Sequence, residues 1–334
     1  MLKYTIRRLI AIIPVLLGLL VLISLLIEFI PGDPARVMLG QHVSEEALEI
    51  LRERMGLNRP FIVRFGIYLG NLFRGDWGTS IREGRPILTI LAERIPATFE
   101  LSLAAMIVSS VVGIAIGILS AYRQYSVLDY TGMFIALVGI SMPVFWLGLM
   151  MIYVFSLVVP ILPFGGRLTT GVALNSVTGF YVLDAIVTGN GPALGDVLKH
   201  LVMPAIALGT IPMAIITRMT RSSMLEVLRQ DYINTARAKG LASRVVVLRH
   251  AFKNALIPVV TVVGLNFGVL LGGAILTETV FAWPGLGTWL LDSIYARDYP
   301  AVQGGVLFIG AAFILINLLV DLSYAWINPK VKYD

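Results

Sequence analysis

Six apolar stretches, each long enough to cross a lipid bilayer, constrain this chain more than any other feature. A hydrocarbon core needs roughly 20 apolar residues per helix. Runs of that kind lie near 9–30, 97–121, 129–159, 201–219, 256–282 and 303–327. Only 14% of the residues are charged and 57% are hydrophobic, with a mean hydropathy of +0.85. An ordinary soluble domain carries about 25% charged residues. A chain this apolar cannot hide its hydrophobic surface in a core of its own, so lipid acts as part of its solvent. Gly, Pro and Ser interrupt the runs, which membrane helices tolerate when neighbours satisfy the freed backbone groups. Pro143, inside the long third run, predicts a kink or a tilt there.

The first run follows the basic start MLKYTIRR. It outlasts the h-region of a signal peptide and no small-x-small cleavage site follows, so it reads as a retained anchor. With the N-terminus inside, the inner segments hold Lys3, Arg7, Arg8, Arg123, eight residues from Arg218 to Lys253, Lys330 and Lys332. That makes fourteen, against Arg167, Lys199 and Arg297 in the two shorter outer connections. The asymmetry predicts that both termini face the cytoplasm. The net charge of +6 is accordingly a topology signal and not the footprint of a nucleic-acid partner. The absence of cysteine excludes disulfides and thiolate metal sites.

The first outer loop, 31–96, carries nine Arg against eight acids and is too long to count in that rule. Within it, SEEALEILRERMGL reads as a short soluble helix. Ser44 is its N-cap, Glu45 and Glu46 fill the first turn, Arg52 and Arg54 lie near the end, and Gly56 stops it. The loop is therefore expected to fold into a small external cap. The second outer connection, about 160–200, is rich in Gly and Pro and contains TGFYVLDAI. The expected organisation is an N-terminal transmembrane helix (1–30), an external cap (31–96) and a five-helix core (97–334) with a cytoplasmic loop at 218–255.

Chemistry-bearing residues are sparse. No G-x-x-x-x-G-K-[ST] phosphate loop occurs, so any ATP that drives this chain must bind elsewhere. His42, His200 and His250 fall in separate connections and read as solvated or interfacial, not as metal ligands. Glu28, Glu100, Asp129, Glu278, Asp292 and Asp321 lie near the ends of expected helices, where they can reach water; a proton relay would bury an acid near the midplane. Asn266 and Asn317 lie deeper, as glue between helices or as the lining of a polar path. No catalytic, metal or cofactor site is assigned. A stand-alone secondary transporter would show inverted repeats, and a membrane-embedded enzyme would show converging acid, base or metal groups. Neither pattern is evident.

The richest inner segment runs from Arg218 to Pro258. Its spacing predicts two short helices, one ending at Gly240 as a left-handed C-cap and one capped by Ser243 that re-enters the membrane at Pro258. Such a segment can dock into another protein's groove or can be a basic loop drawn to anionic lipid.

DYINTARAKGL followed by RHAFKNALIPVVT resembles the cytoplasmic loop of permease subunits in ATP-binding-cassette importers of dipeptides and oligopeptides. IPGDPAR at 30–36, GDWGTSI at 75–81, SMPVFWLG at 141–148 and RMTRSSMLEVL at 218–228 agree with the same family. So do GGAILTETVFAWPGLG at 272–287, RDYPAVQGGV at 297–306 and NLLVDLSYAWINPKVKY at 317–333. Asn234, Thr235 and Ala236 stand at the E-A-A positions of the general importer motif and Gly240 at its glycine. His250, Phe252 and Lys253 depart from the following I-x-L-P, and the proline is displaced to Pro258. LNSVTGFYVLDAIVTGN looks like the dipeptide branch.

The resemblance implies an all-α membrane protein of six transmembrane helices, the first permease of its importer, in a prokaryotic inner membrane. Its implied partners are a homologous second permease, two ATP-binding subunits carrying ATP and Mg, an external binding protein and a peptide substrate. Nickel-chelate, haem or glutathione-like cargo falls in the same class. It further implies that Thr235, Ala236, Arg237, Ala238, Lys239 and Gly240 form the helix that couples to the ATPase.

Overall fold

The computed structural model describes residues 2–29, 35–36, 44–54 and 57–327. Its architecture is helical; among the described residues the only extended pairing is a single antiparallel bridge between Thr79 and Pro86. Helix α1 (Leu2–Phe29) is followed by two short helices, α2 (Glu45–Arg54) and α3 (Phe61–Phe73). The centre of the molecule is a pair of very long helices, α4 (Ile87–Tyr122) and α8 (Gly191–Leu228). Between them in the chain come α5 (Val127–Ser141), α6 (Val144–Ile152) and α7 (Tyr181–Val187). After α8 come the short α9 (Asp231–Ala238) and α10 (Ser243–Val245). A π-helical turn, Val246–Ala251, joins α10 to α11 (Phe252–Gly273). The chain closes with α12 (Ile275–Val280), α13 (Leu286–Tyr295) and α14 (Tyr299–Ile327).

Five helical segments are long and apolar enough to span a bilayer: Ile10–Phe29, Ile87–Tyr122, Gly191–Leu228, Ser243–Gly272 and Tyr299–Val320. A bent pair of apolar helices brings the number to six if it is taken as one span. α5 and the segment Val144–Val158 meet at 101° across Met142–Pro143, so the kink foreseen at Pro143 is a full corner. Met142 is extended at ψ 130°, as the residue before a proline prefers. The expected run 256–282 is divided, because α11 ends at Gly273 and a separate short helix, α12, begins at Ile275. Re-entry at Ser243 also differs: Ala242 is the N-cap, and the helix passes through Pro258 to Gly273. RMTRSSMLEVL forms the last stretch of α8.

With 36 and 38 residues, α4 and α8 extend about 54 and 57 Å, well beyond a core of roughly 30 Å. They pack along Ala105, Ser109, Gly113 and Gly117 of α4, at intervals of four residues, which brings the two backbones together. A Cβ on Gly117 would lie 2.6 Å from Thr220 Cβ and 2.8 Å from the Thr217 carbonyl oxygen. The Ser109 hydroxyl donates across the seam to the Gly209 carbonyl at 2.7 Å. Gly117→Leu must therefore separate the helices. We expect it to cost about 1–3 kcal/mol by overpacking, seen as a lower melting temperature of the detergent-solubilised protein.

One end of the bundle carries α9, α10 and the C-terminal ends of α4 and α8, where Ala121 and Met224 are buried together; it is termed the basic end. The opposite, far end carries α7, α12 and α13, with Trp289 packed on Ile87 and Leu91.

Candidate functional site

At the basic end α9 is a short helix built to present one face. Ile233 is fully buried and Ala236 is 8% exposed, both packed with Met224, Val246, Val247 and Ala251. Asp231, Tyr232, Asn234, Thr235, Arg237, Ala238, Lys239 and Gly240 are exposed. Asp231 lies in the first turn and Arg237 in the last, both favourable to the helix dipole. The C-terminus closes as a Schellman motif. Leu241 N–H donates to the Ala236 carbonyl at 3.4 Å and Gly240 N–H to the Arg237 carbonyl at 2.9 Å. Gly240 has φ +76°, and no atom lies within 4 Å of where its Cβ would be. The glycine is thus required by backbone conformation and not by crowding. A hydrogen bond of 2.8 Å from Asn254 Nδ2 to the Tyr232 hydroxyl ties α9 to α11.

Of the six coupling residues expected from sequence, five lie on the free surface. Ala236 is turned into the bundle, where it packs α9 against the π turn.

A second tie lies close by. Arg221 of α8 clasps Asp129 through two bonds, Nε to Oδ1 at 2.6 Å and Nη2 to Oδ2 at 2.8 Å. Tyr125 N–H adds a third donor to Asp129 at 3.0 Å. This pair locks the α4–α5 reversal onto α8, and Asp129 is buried.

The far end is held by a denser polar network. Arg167 donates to Glu100 Oε2 at 2.7 Å and to the Gly179 carbonyl at 2.9 Å, and its guanidinium lies 3.7 Å from the centre of the Tyr181 ring. Val182 N–H donates to the other Glu100 oxygen at 2.7 Å. Asp184 accepts from Ser176, Thr178 and Gly179. Burial pushes the Asp184 carboxyl up, but the bonds from Thr178, Ser176 and Gly179 outweigh it and hold it below the usual carboxylate range. Glu278, 0% exposed, accepts from the Thr98 hydroxyl at 2.6 Å and from Thr288 N–H at 2.9 Å. Trp283 Nε1–H donates to the Ala97 carbonyl at 2.9 Å. The carboxylate of α12 thus meets donors from α4 and α13 in the interior of the protein.

These contacts correct several sequence expectations. Glu100, Asp129 and Glu278 do not reach water; they are buried and bonded, while Glu28 and Asp292 are exposed and pair with Arg64 and Arg82. Arg167, counted as an outer loop cation, is buried. His200 is also buried, with Nδ1 2.9 Å from the Asp196 carbonyl and 3.4 Å from its carboxylate, four residues earlier on α8. No group of three His, Asp or Glu among the described residues is arranged to hold a metal. Asn266 donates back to the Val262 carbonyl of its own helix, and the buried Asn317 Oδ1 has no hydrogen-bond partner among the described residues. His42, Gly56, Lys330 and Lys332 lie outside the described residues.

A free-faced helix on a rigid end is what a membrane subunit needs if force reaches it from outside. Residues 113–333 match the family described as the binding-protein-dependent transport system inner membrane component. Residues 1–104 match the N-terminal part of the same membrane component. The chain belongs to this family: it is a multi-pass inner-membrane permease subunit of an ATP-binding-cassette importer that works with a binding protein. It is 51% identical to the dipeptide transport system permease protein DppB of Alkalihalophilus pseudofirmus, over 100% of both chains. It is 45% identical to DppB of Escherichia coli K12, over 100% of this chain and 99% of that one. With the glutathione transport system permease protein GsiC of Pectobacterium atrosepticum it shares 41%, over 100% of both.

Proposed function

We propose that this permease passes dipeptides and short oligopeptides from an external binding protein into the cytoplasm, driven by ATP and Mg bound on two separate ATP-binding subunits. The observation that carries the substrate class is the full-length likeness, at 51% and 45%, to relatives named for dipeptide transport. A homologous second permease completes the pathway. The basic end, with both termini, faces the cytoplasm, and 31–96 forms the external cap; fourteen inner against three outer Lys and Arg support this. The exposed face of α9, with Thr235, Arg237, Ala238, Lys239 and Gly240, docks on an ATPase, and Ala236 holds that face in place. The likeness at 41% to a glutathione permease favours a second reading, a γ-linked tripeptide cargo.

The complex reconstituted in proteoliposomes with its partners should take up labelled dipeptide only when ATP is supplied, and excess unlabelled dipeptide should suppress it. Glutathione uptake with no dipeptide competition would overturn the substrate assignment. Because the chain has no native cysteine, Thr235→Cys and Ala238→Cys should crosslink to the ATPase while the inward Ala236→Cys should not.

A further inference from the structure

The two short helices between α1 and α4 differ in kind. α2, EEALEILRER, exposes Glu45, Glu46 and Glu49, as a helix in water does. α3, FIVRFGIYLGNLF, is reversed. Its exposed residues are Ile62, Val63, Gly66, Ile67, Gly70 and Phe73, one helical face without a polar side chain. Ile62 is 81% exposed and Phe73 78%. Its polar residues lie on the opposite, bundle-facing side. Arg64 pairs with Glu28 of α1, and the Tyr68 hydroxyl is buried.

In water the order would be the other way round. Apolar side chains outward and ionisable ones inward is the arrangement of a helix whose solvent is lipid. At 13 residues, about 20 Å, α3 is too short to cross a bilayer. It rests on α1, whose own Leu22, Leu25, Leu26 and Phe29 are exposed within a span. Leu69, Leu72 and Phe73 share a groove with Leu16, Leu17 and Leu20 of α1 and Leu307 of α14. The apolar surface of α3 thus continues the lipid-facing surface of α1.

We propose that α3 is an embedded interfacial helix, seated with its Ile62–Ile67–Phe73 face among the acyl chains of the leaflet at the far end, and that only α2 stands in water. The segment between α1 and α4 is on this reading part cap and part membrane anchor. Single cysteines at Ile62, Ile67 and Phe73, with Glu46 as control, would be spin-labelled in the assembled transporter, its partners in cysteine-free form, in phospholipid vesicles. Collisions with oxygen should exceed those with a polar nickel chelate several-fold at the three α3 sites, and the ratio should invert at Glu46. Nickel collisions at Ile62 and Ile67 equal to those at Glu46 would overturn the proposal. So would protection from both reagents, which would mean that a protein surface covers the face. Should a label at one site prevent assembly, Val63 and Gly66 on the same face carry the measurement.

Discussion

Gly240→Val is expected to abolish peptide uptake while the protein accumulates in the membrane at near-normal levels. At φ +76° a β-branched residue is strained, and the left-handed conformation costs about 1–2 kcal/mol. Since nothing surrounds the position, the strain cannot be relieved by moving a neighbour and falls on the backbone. It unwinds the Schellman closure and re-aims the exposed face of α9. A bundle of long packed helices survives that cost; the docking of a single eight-residue helix does not. Gly240→Asn, which tolerates the left-handed region, should retain much of the uptake. ATPase activity of the Val variant's complex should lose its stimulation by loaded binding protein. Transport at the wild-type rate in Gly240→Val would remove α9 from the coupling role. If α9 were only a basic, lipid-facing loop, Arg237→Ala and Lys239→Ala would be the damaging changes.

The largest stability effect is expected at the opposite end. Arg167→Ala leaves Glu100 buried with Val182 N–H as its remaining donor, and loss of one partner from a buried pair costs about 3–5 kcal/mol. The guanidinium also covers Tyr181, so packing is lost with the charge. Thermal unfolding in detergent, followed by tryptophan fluorescence, measures this directly. Pairing Arg167→Met with Glu100→Leu should recover a large part of the loss, because neither charge is then stranded. If Arg167→Ala melts with the wild type, the pair contributes nothing to the fold.

The spans were legible because lipid imposes them through composition, residue by residue. What escaped were features that depend on two distant segments meeting. Glu100 and Arg167 are 67 residues apart, and Asp129 and Arg221 are 92 apart, so neither pair has a spacing to read. Each residue alone looks like a helix-end charge on its way to water. The α4 seam is different: Ala105, Ser109, Gly113 and Gly117 stand at every fourth position, and that signal was available. Gly240 was placed from local chemistry alone, since a C-cap depends on only a few residues. Ala236 reads as one of the surface residues because motif position says nothing about which side of a helix of about two turns faces in.

The seam between α4 and α8 has a mechanical consequence. Two helices whose backbones interlock through small side chains cannot slide past each other by a residue without collision, so they move together as a rod. α8 leads directly into α9 at one end and carries Asp196 and His200 near the other, beside the Arg167 network. A rod of about 57 Å tilted by about 5° about one end carries the other through about 5 Å. An angular shift too small to disturb side-chain packing at the driven end is thereby amplified to about the width of a peptide backbone at the remote one.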